Sequence, residues 1–197
     1  MAAPVLVVVN GPPGVGKSTV ARGLGDRLGL EVISKDRLKE RLYLQAAAYG
    51  REGVEASRRF GGEAFELLFR RARRELRGGR SLIVDAPFEP ARHDPRFWRL
   101  AADVRVRLIQ VWVHAPVEMV RRRRLRRLGT RHATHHGMDA SEARASIARG
   151  LERRLGIEPT VEVDASSRAE LDEVRDRLEA SLAGERWGAS SCTIGSR

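Results

Sequence analysis

Val5-Leu6-Val7-Val8-Val9-Asn10-Gly11-Pro12-Pro13-Gly14-Val15-Gly16-Lys17-Ser18-Thr19 is the stretch that decides the fold. Its first half is an unbroken aliphatic, mostly β-branched run, the pattern of a strand covered on both faces. Its second half satisfies G-x-x-x-x-G-K-[ST] from Gly11 to Ser18, and a helical pattern follows from Lys17 to about Leu28. Each residue type has a chemical reason. Glycines let the backbone curl so that its N–H groups point inward at phosphate oxygens. The helix start adds its positive dipole end. Lys17 supplies a point charge for the β- and γ-phosphates, and the Ser18 hydroxyl can ligate Mg²⁺. Gly11, Pro12, Pro13, Gly14, Val15, Gly16, Lys17, Ser18 and Thr19 are therefore expected to bind a nucleotide with Mg²⁺, which leaves the reaction open.

Outward from this stretch, strands and helices alternate. Leu30–Ile33 reads as a second strand, with Asp36 as the N-cap of a helix carrying Leu38, Leu42 and Leu44. Residues 49–62 are polar and glycine-containing, which predicts a loop or helical insert. Phe65, Leu68, Phe69 and Leu76 mark a helix closed by Gly78-Gly79. A strand at Ser81–Val84, a helix from Pro90 to Ala102 and a strand at Val106–Val113 follow. Pro116 opens a further helix at its first turn. A helix over Ser141–Leu155, a strand at Val161–Val163 and a helix over Ala169–Leu182 complete the pattern. This alternation predicts an α/β fold, a three-layer P-loop arrangement with a parallel sheet of about five strands and helices on both faces. The expected organisation is one domain over residues 1–183 and a tail over 184–197. Ligands are expected at the carboxyl edge of the sheet.

Two carboxylates stand at predicted strand ends. Asp36 lies 19 residues after Lys17, where it can accept the proton of an attacking hydroxyl or simply cap its helix. Asp85 ends Leu82-Ile83-Val84 and fits a group that holds Mg²⁺, directly or through water. It competes with Asp36 for the role of base.

Bulk properties narrow the function class. The 197 residues carry a formal charge of +11, which fits either a solvated arginine-rich surface or affinity for polyanions. No apolar run approaches the roughly 20 residues needed to cross a bilayer, and no signal peptide is evident. With a single cysteine, Cys192, the expected location is cytoplasmic.

Gly11–Ser18, the Ile33-Ser34-Lys35-Asp36-Arg37 turn, Val84-Asp85 with Pro90 and Arg92, and an arginine-rich helix together resemble small P-loop kinases. The group includes polynucleotide 5′-hydroxyl kinase, chloramphenicol phosphotransferase, gluconate kinase and zeta toxin, with the AAA-type ATP-binding proteins related to them. The resemblance implies ATP as donor, Asp36 as general base, and Asp85 positioning substrate. It also implies that Arg123 and Arg127, spaced R-x-x-x-R, contact ATP phosphates from a lid. Ala86-Pro87-Phe88 replaces the Asn-containing stretch of the polynucleotide kinases, which argues against a nucleic-acid acceptor.

Six of the seven residues from Arg121 to Arg127 are arginine, and like charge so concentrated calls for an anion. Arg131 is a third candidate contact. His132, His135 and His136 lack the spacing of a zinc site and suit a lid or substrate loop better. Phe88, Trp98 and Trp112 are expected in the core or on the pocket wall, with Phe88 touching substrate. Lys39 and Arg41 join Asp36 and Asp85 on the expected substrate side. The expected activity is transfer of the ATP γ-phosphate to a hydroxyl of a small molecule. The alternatives are a nucleotide or polynucleotide 5′-hydroxyl kinase and, from another class, a nucleotide-binding switch or ATPase module.

Overall fold

A computed structural model describes residues 3–47, 54–116, 118–120, 122–123 and 154–183. Ten elements run through them. They are β1 (Val5–Asn10), α1 (Lys17–Leu28), β2 (Glu31–Ser34), α2 (Lys35–Ala47), α3 (Val54–Arg77), β3 (Leu82–Asp85), α4 (Pro90–Val104), β4 (Arg107–His114), β5 (Thr160–Asp164) and α5 (Arg168–Leu182). Residues 118–120 and 122–123 are also helical, as expected after Pro116. The five strands form one parallel sheet in the order β2-β3-β1-β4-β5.

Alternation along the strands divides the core between two helix layers. Val5, Val7 and Val9 face Val20, Ala21 and Leu24 of α1 and Val174 and Leu178 of α5. Leu6 and Val8 face the opposite layer, with Leu68, Ala72 and Leu76 of α3 and Phe97 and Leu100 of α4. All six residues of β1 are buried, so the aliphatic run is apolar because it meets helices on both sides.

Register explains where the ligand edge lies. Val9 of β1 stands beside Asp85 of β3, and Asp85 stands beside Ser34 of β2. Three strand ends are thus level, and the segments leaving them start from one line. The chain leaves β1 toward β2 and leaves β3 toward β4 on the other side. Their carboxyl ends therefore flank the crevice where an open α/β sheet takes its ligand.

Several boundaries differ from expectation. Strand β2 ends at Ser34 and α2 starts at Lys35, so Asp36 is the second helical residue and not the cap. Helix α3 starts at Val54, so the helical one of the two expected forms holds over residues 54–62. Tertiary packing selects that form: Phe60 is 5% exposed and meets the Tyr43 ring of α2 edge-on, with centroids 6.3 Å apart. Arg154 and Leu155 are not helical, and the rest of the helix expected over 141–155 lies outside the described residues. So do the histidine loop and the tail from 184 onward. Trp98 is 54% exposed on α4, which corrects its expected place in the core or pocket wall, whereas Trp112 is buried.

Candidate active site

The phosphate loop is built by backbone geometry. Gly11, Gly14 and Gly16 have φ of 146°, 90° and 114°, values that side chains disfavour. At Gly11 space also decides, because a Cβ would lie 2.2 Å from the Val113 carbonyl oxygen of β4. Gly16 caps α1 in a left-handed conformation without a side-chain hydrogen bond. The Gly16 carbonyl accepts the Thr19 and Val20 N–H groups, at 2.9 and 3.1 Å, which starts the helix with the positive end of its dipole at the loop. Lys17 is buried, and its Nζ donates to the Pro12 carbonyl oxygen at 2.9 Å.

One cavity opens over this loop. Pro13, Gly14, Gly16, Lys17, Ser18 and Thr19 form one wall, and Asp36, Asp85, Ala86 and Pro87 form the other. It encloses about 560 Å³, its open mouth included. The two carboxylates differ in setting. Asp36 is 50% exposed at its side chain, with Lys35 Nζ 3.2 Å from its Oδ1. Asp85 is 3% exposed and accepts hydrogen bonds from Ser34 Oγ, at 3.2 Å, and from Ser18. Burial pushes the Asp85 carboxyl above the usual carboxylate range, and the nearby Asp36 adds to that. The Ser18 and Ser34 hydrogen bonds and the Lys17 charge act in the opposite direction.

Other predicted residues are placed as follows. Lys39 is buried on α2, three residues beyond Asp36; burial lowers its pKa first and Lys35 further, against the pull of Asp36. Phe88 is 1% exposed and does not line the cavity, so the expectation that it touches substrate gives way to a core role. Its ring packs among Phe65, Phe69, His93 and Phe97. Arg123 Nη1 donates to the Val15 carbonyl oxygen at 2.6 Å, which sets its guanidinium against the phosphate loop. Arg127 and Arg131 lie outside the described residues.

Two contributors escaped the sequence reading. Asn10, buried at the end of β1, accepts a hydrogen bond from the Phe88 N–H at 3.0 Å. It ties the loop holding Ala86 and Pro87 to the strand that feeds the phosphate cradle. The turn after β5 is the second: a side chain at Gly16 would stand 3.1 Å from Arg123 Nη1 and 3.5 Å from Ala165 Cβ. No motif announces either one, because both depend on strand order.

Mg²⁺ keeps several waters and is held by one or two carboxylates plus phosphates. The Ser18 hydroxyl and the Asp85 carboxylate, in hydrogen-bond contact, are such a donor set. Among the described residues no group of three or more His, Cys, Asp or Glu could cage a metal alone. No helix among them is long and apolar enough to cross a membrane.

Comparison with known proteins places the fold. A family model described as AAA domain matches residues 6–151. An uncharacterized protein of Mycobacterium tuberculosis is 31% identical over 160 residues, 76% of this chain. The chain spans only 29% of that relative's length. A crystal structure of a candidate kinase from Chloroflexus aurantiacus superposes with TM-score 0.81 at 27% identity, covering 92% of this chain and all of that one. Chaetomium thermophilum Kti12, crystallised with ADP-AlF3, matches with TM-score 0.64 at 22% identity, over 91% and 100% of the two chains. The last likeness shows the fold alone, and the fold these proteins share is that of the P-loop kinases.

Proposed function

The chain belongs to the AAA-domain family whose model spans its phosphate loop, and on that premise we propose an ATP-dependent phosphotransferase acting on a hydroxyl of a small molecule. The observation that carries this reading is the shared cavity, where the phosphate loop faces Asp36 and Asp85 across one opening.

Phosphoryl transfer asks little covalent chemistry of a protein and much positioning and charge stabilisation. Loop N–H groups, the α1 dipole and Lys17 hold the ATP phosphates. Asp36 takes the proton of the acceptor hydroxyl as its oxygen bonds to the γ-phosphorus. The bond from that phosphorus to the β–γ bridging oxygen breaks, and ADP leaves. Asp36 suits the task better than Asp85 because it is half-exposed at the mouth, where an acceptor enters. Asp85, buried and touching Ser18, suits Mg²⁺. Bound there, Mg²⁺ would neutralise charge that develops on the phosphates. Lys39 is assigned to the acceptor side. Arg123, Arg127 and Arg131 are assigned to the lid over the transferred group, with Arg123 already anchored on Val15.

The test is a γ-phosphate transfer screen with labelled ATP and Mg²⁺ against sugars, nucleosides, phenicol-like and aminoglycoside-like alcohols and 5′-hydroxyl oligonucleotides. A labelled small-molecule acceptor that disappears with Asp36→Asn is the expected outcome. Slow release of free phosphate alone, unchanged by the substitution, would replace the kinase with an ATPase or switch module.

A further inference from the structure

Helices α3 and α4 lie side by side on the sheet face opposite α1, and two ion-pair rungs join them. Arg96 of α4 makes a double contact with Glu66 of α3, at 2.7 and 2.9 Å. Lower down, Asp103 of α4 receives Arg73 and Arg77 of α3, at 3.2 and 3.0 Å. One helical turn is 3.6 residues, so Arg70 lies a turn below Glu66, and Arg99 lies a turn below Arg96. The middle rung of this ladder therefore consists of two arginines. Neither Arg70 nor Arg99 has an ion pair or hydrogen bond among the described residues.

Both line an open groove with Glu66, Phe69, Arg73, Arg96 and Leu100, about 600 Å³ in extent. Along the ladder five guanidinium groups share two carboxylates. Two like charges on one rung, with ion-paired rungs on either side, disfavour the empty groove and favour an anion that bridges them. Arginine's planar fork suits phosphate oxygens in particular. The groove has little to offer a base or an apolar group. Phe69 is 8% exposed and already carries the Arg96 guanidinium 4.1 Å above its ring, and Leu100 is buried. None of the groove residues lines the nucleotide cavity.

We propose that this groove is a second anion site, separate from the nucleotide cavity, that binds a small phosphate-bearing ligand between Arg70 and Arg99. Arg96 is pre-set by Glu66 and Phe69 to close one end, and Arg73 stands at the other. The site does not depend on the kinase reading, because no residue in it is used there.

Calorimetric titration with inorganic pyrophosphate tests it, in a Lys17→Ala background that weakens binding at the phosphate loop. The expected result is a bound pyrophosphate whose affinity falls at least tenfold when Arg70→Gln and Arg99→Gln are added. In the otherwise native chain the same pair should leave ATP affinity unchanged and raise Tm at low salt, a gain that 0.5 M NaCl erases. An isotherm untouched by the two substitutions would overturn the proposal. So would arginine-dependent binding of a single-stranded 20-mer with none of pyrophosphate, which would make the groove a nucleic-acid surface.

Discussion

The two walls of the cavity are made differently. The donor wall, Pro13 to Thr19, is backbone: positive-φ glycines, a helix start and one buried lysine, all from a continuous stretch. The acceptor wall is side chain: Asp36 from α2, Asp85 from β3 and the 86–87 loop, which Asn10 of β1 anchors. A backbone cradle recognises what all nucleoside triphosphates share and tolerates little variation, whereas a side-chain wall can be rewritten one residue at a time. The contrast teaches that the donor is read from local sequence and the acceptor from the three-dimensional meeting of distant segments.

Substitutions can break this contrast or sharpen it. The largest effect is expected for Lys17→Ala, which removes the one buried charge of the donor wall. Losing a buried charged partner costs about 2–5 kcal/mol, roughly 30-fold to several-thousand-fold in nucleotide affinity, measurable by calorimetry with ADP. An unaffected Kd would mean that the backbone alone holds the phosphates.

Asn10→Ala should act on the acceptor wall only. It removes the tether between the Phe88 N–H and β1 and leaves that N–H its Ala86 carbonyl partner, at a cost of about 0.5–1.5 kcal/mol in stability by urea denaturation. Freed from β1, the 86–87 loop should raise KM for the acceptor with little change for ATP. A matching rise in both would dissolve the distinction between the walls.

Asp85→Asn separates function from stability. Burial raises the folded-state pKa of Asp85 above its unfolded value, so the ionised group costs stability once pH exceeds the carboxylate range. The nucleotide-free variant should therefore have the higher Tm at pH 7. That advantage should fade as pH falls through the raised folded-state value and be gone by about pH 4, while Mg²⁺-dependent transfer is lost at every pH. A lower Tm at pH 7 would contradict the assignment.

The smallest effect concerns the cluster beneath the acceptor wall. Burial holds the His93 imidazole below its ordinary pKa, so it folds neutral while the unfolded chain takes up a proton. The stability this contributes is complete above about pH 6.5 and is lost as pH falls toward the folded-state value, with a limiting slope of about 1.4 kcal/mol per pH unit. Chemical denaturation between pH 7 and 5 should show a shallower decline in His93→Gln, and parallel curves would remove His93 from the account.

Legibility followed the same division. Val5–Val9, the phosphate loop and the helix to Leu28 were readable because strand pattern, glycines and lysine all lie within one short window. The alternation of elements likewise anticipated the five-stranded parallel sheet. Composition left residues 54–62 open between loop and helical insert, and Phe60, which joins the core through Tyr43 of another helix, decides for the helix. At Phe88 the core placement was legible and the substrate contact was not, because rings from α3 and α4 enclose it. The Asn10 tether and the Arg123 contact with Val15 span 78 and 108 residues, distances over which no local pattern carries information.

The central claim is that Asp36 serves the acceptor and not the nucleotide. The most direct measurement pairs ADP calorimetry with γ-phosphate transfer for Asp36→Asn, using whichever acceptor the screen returns. The account predicts an unchanged ADP Kd with transfer reduced by about 10²-fold or more. Transfer at the native rate, or a loss matched by an equal fall in nucleotide affinity, would contradict it.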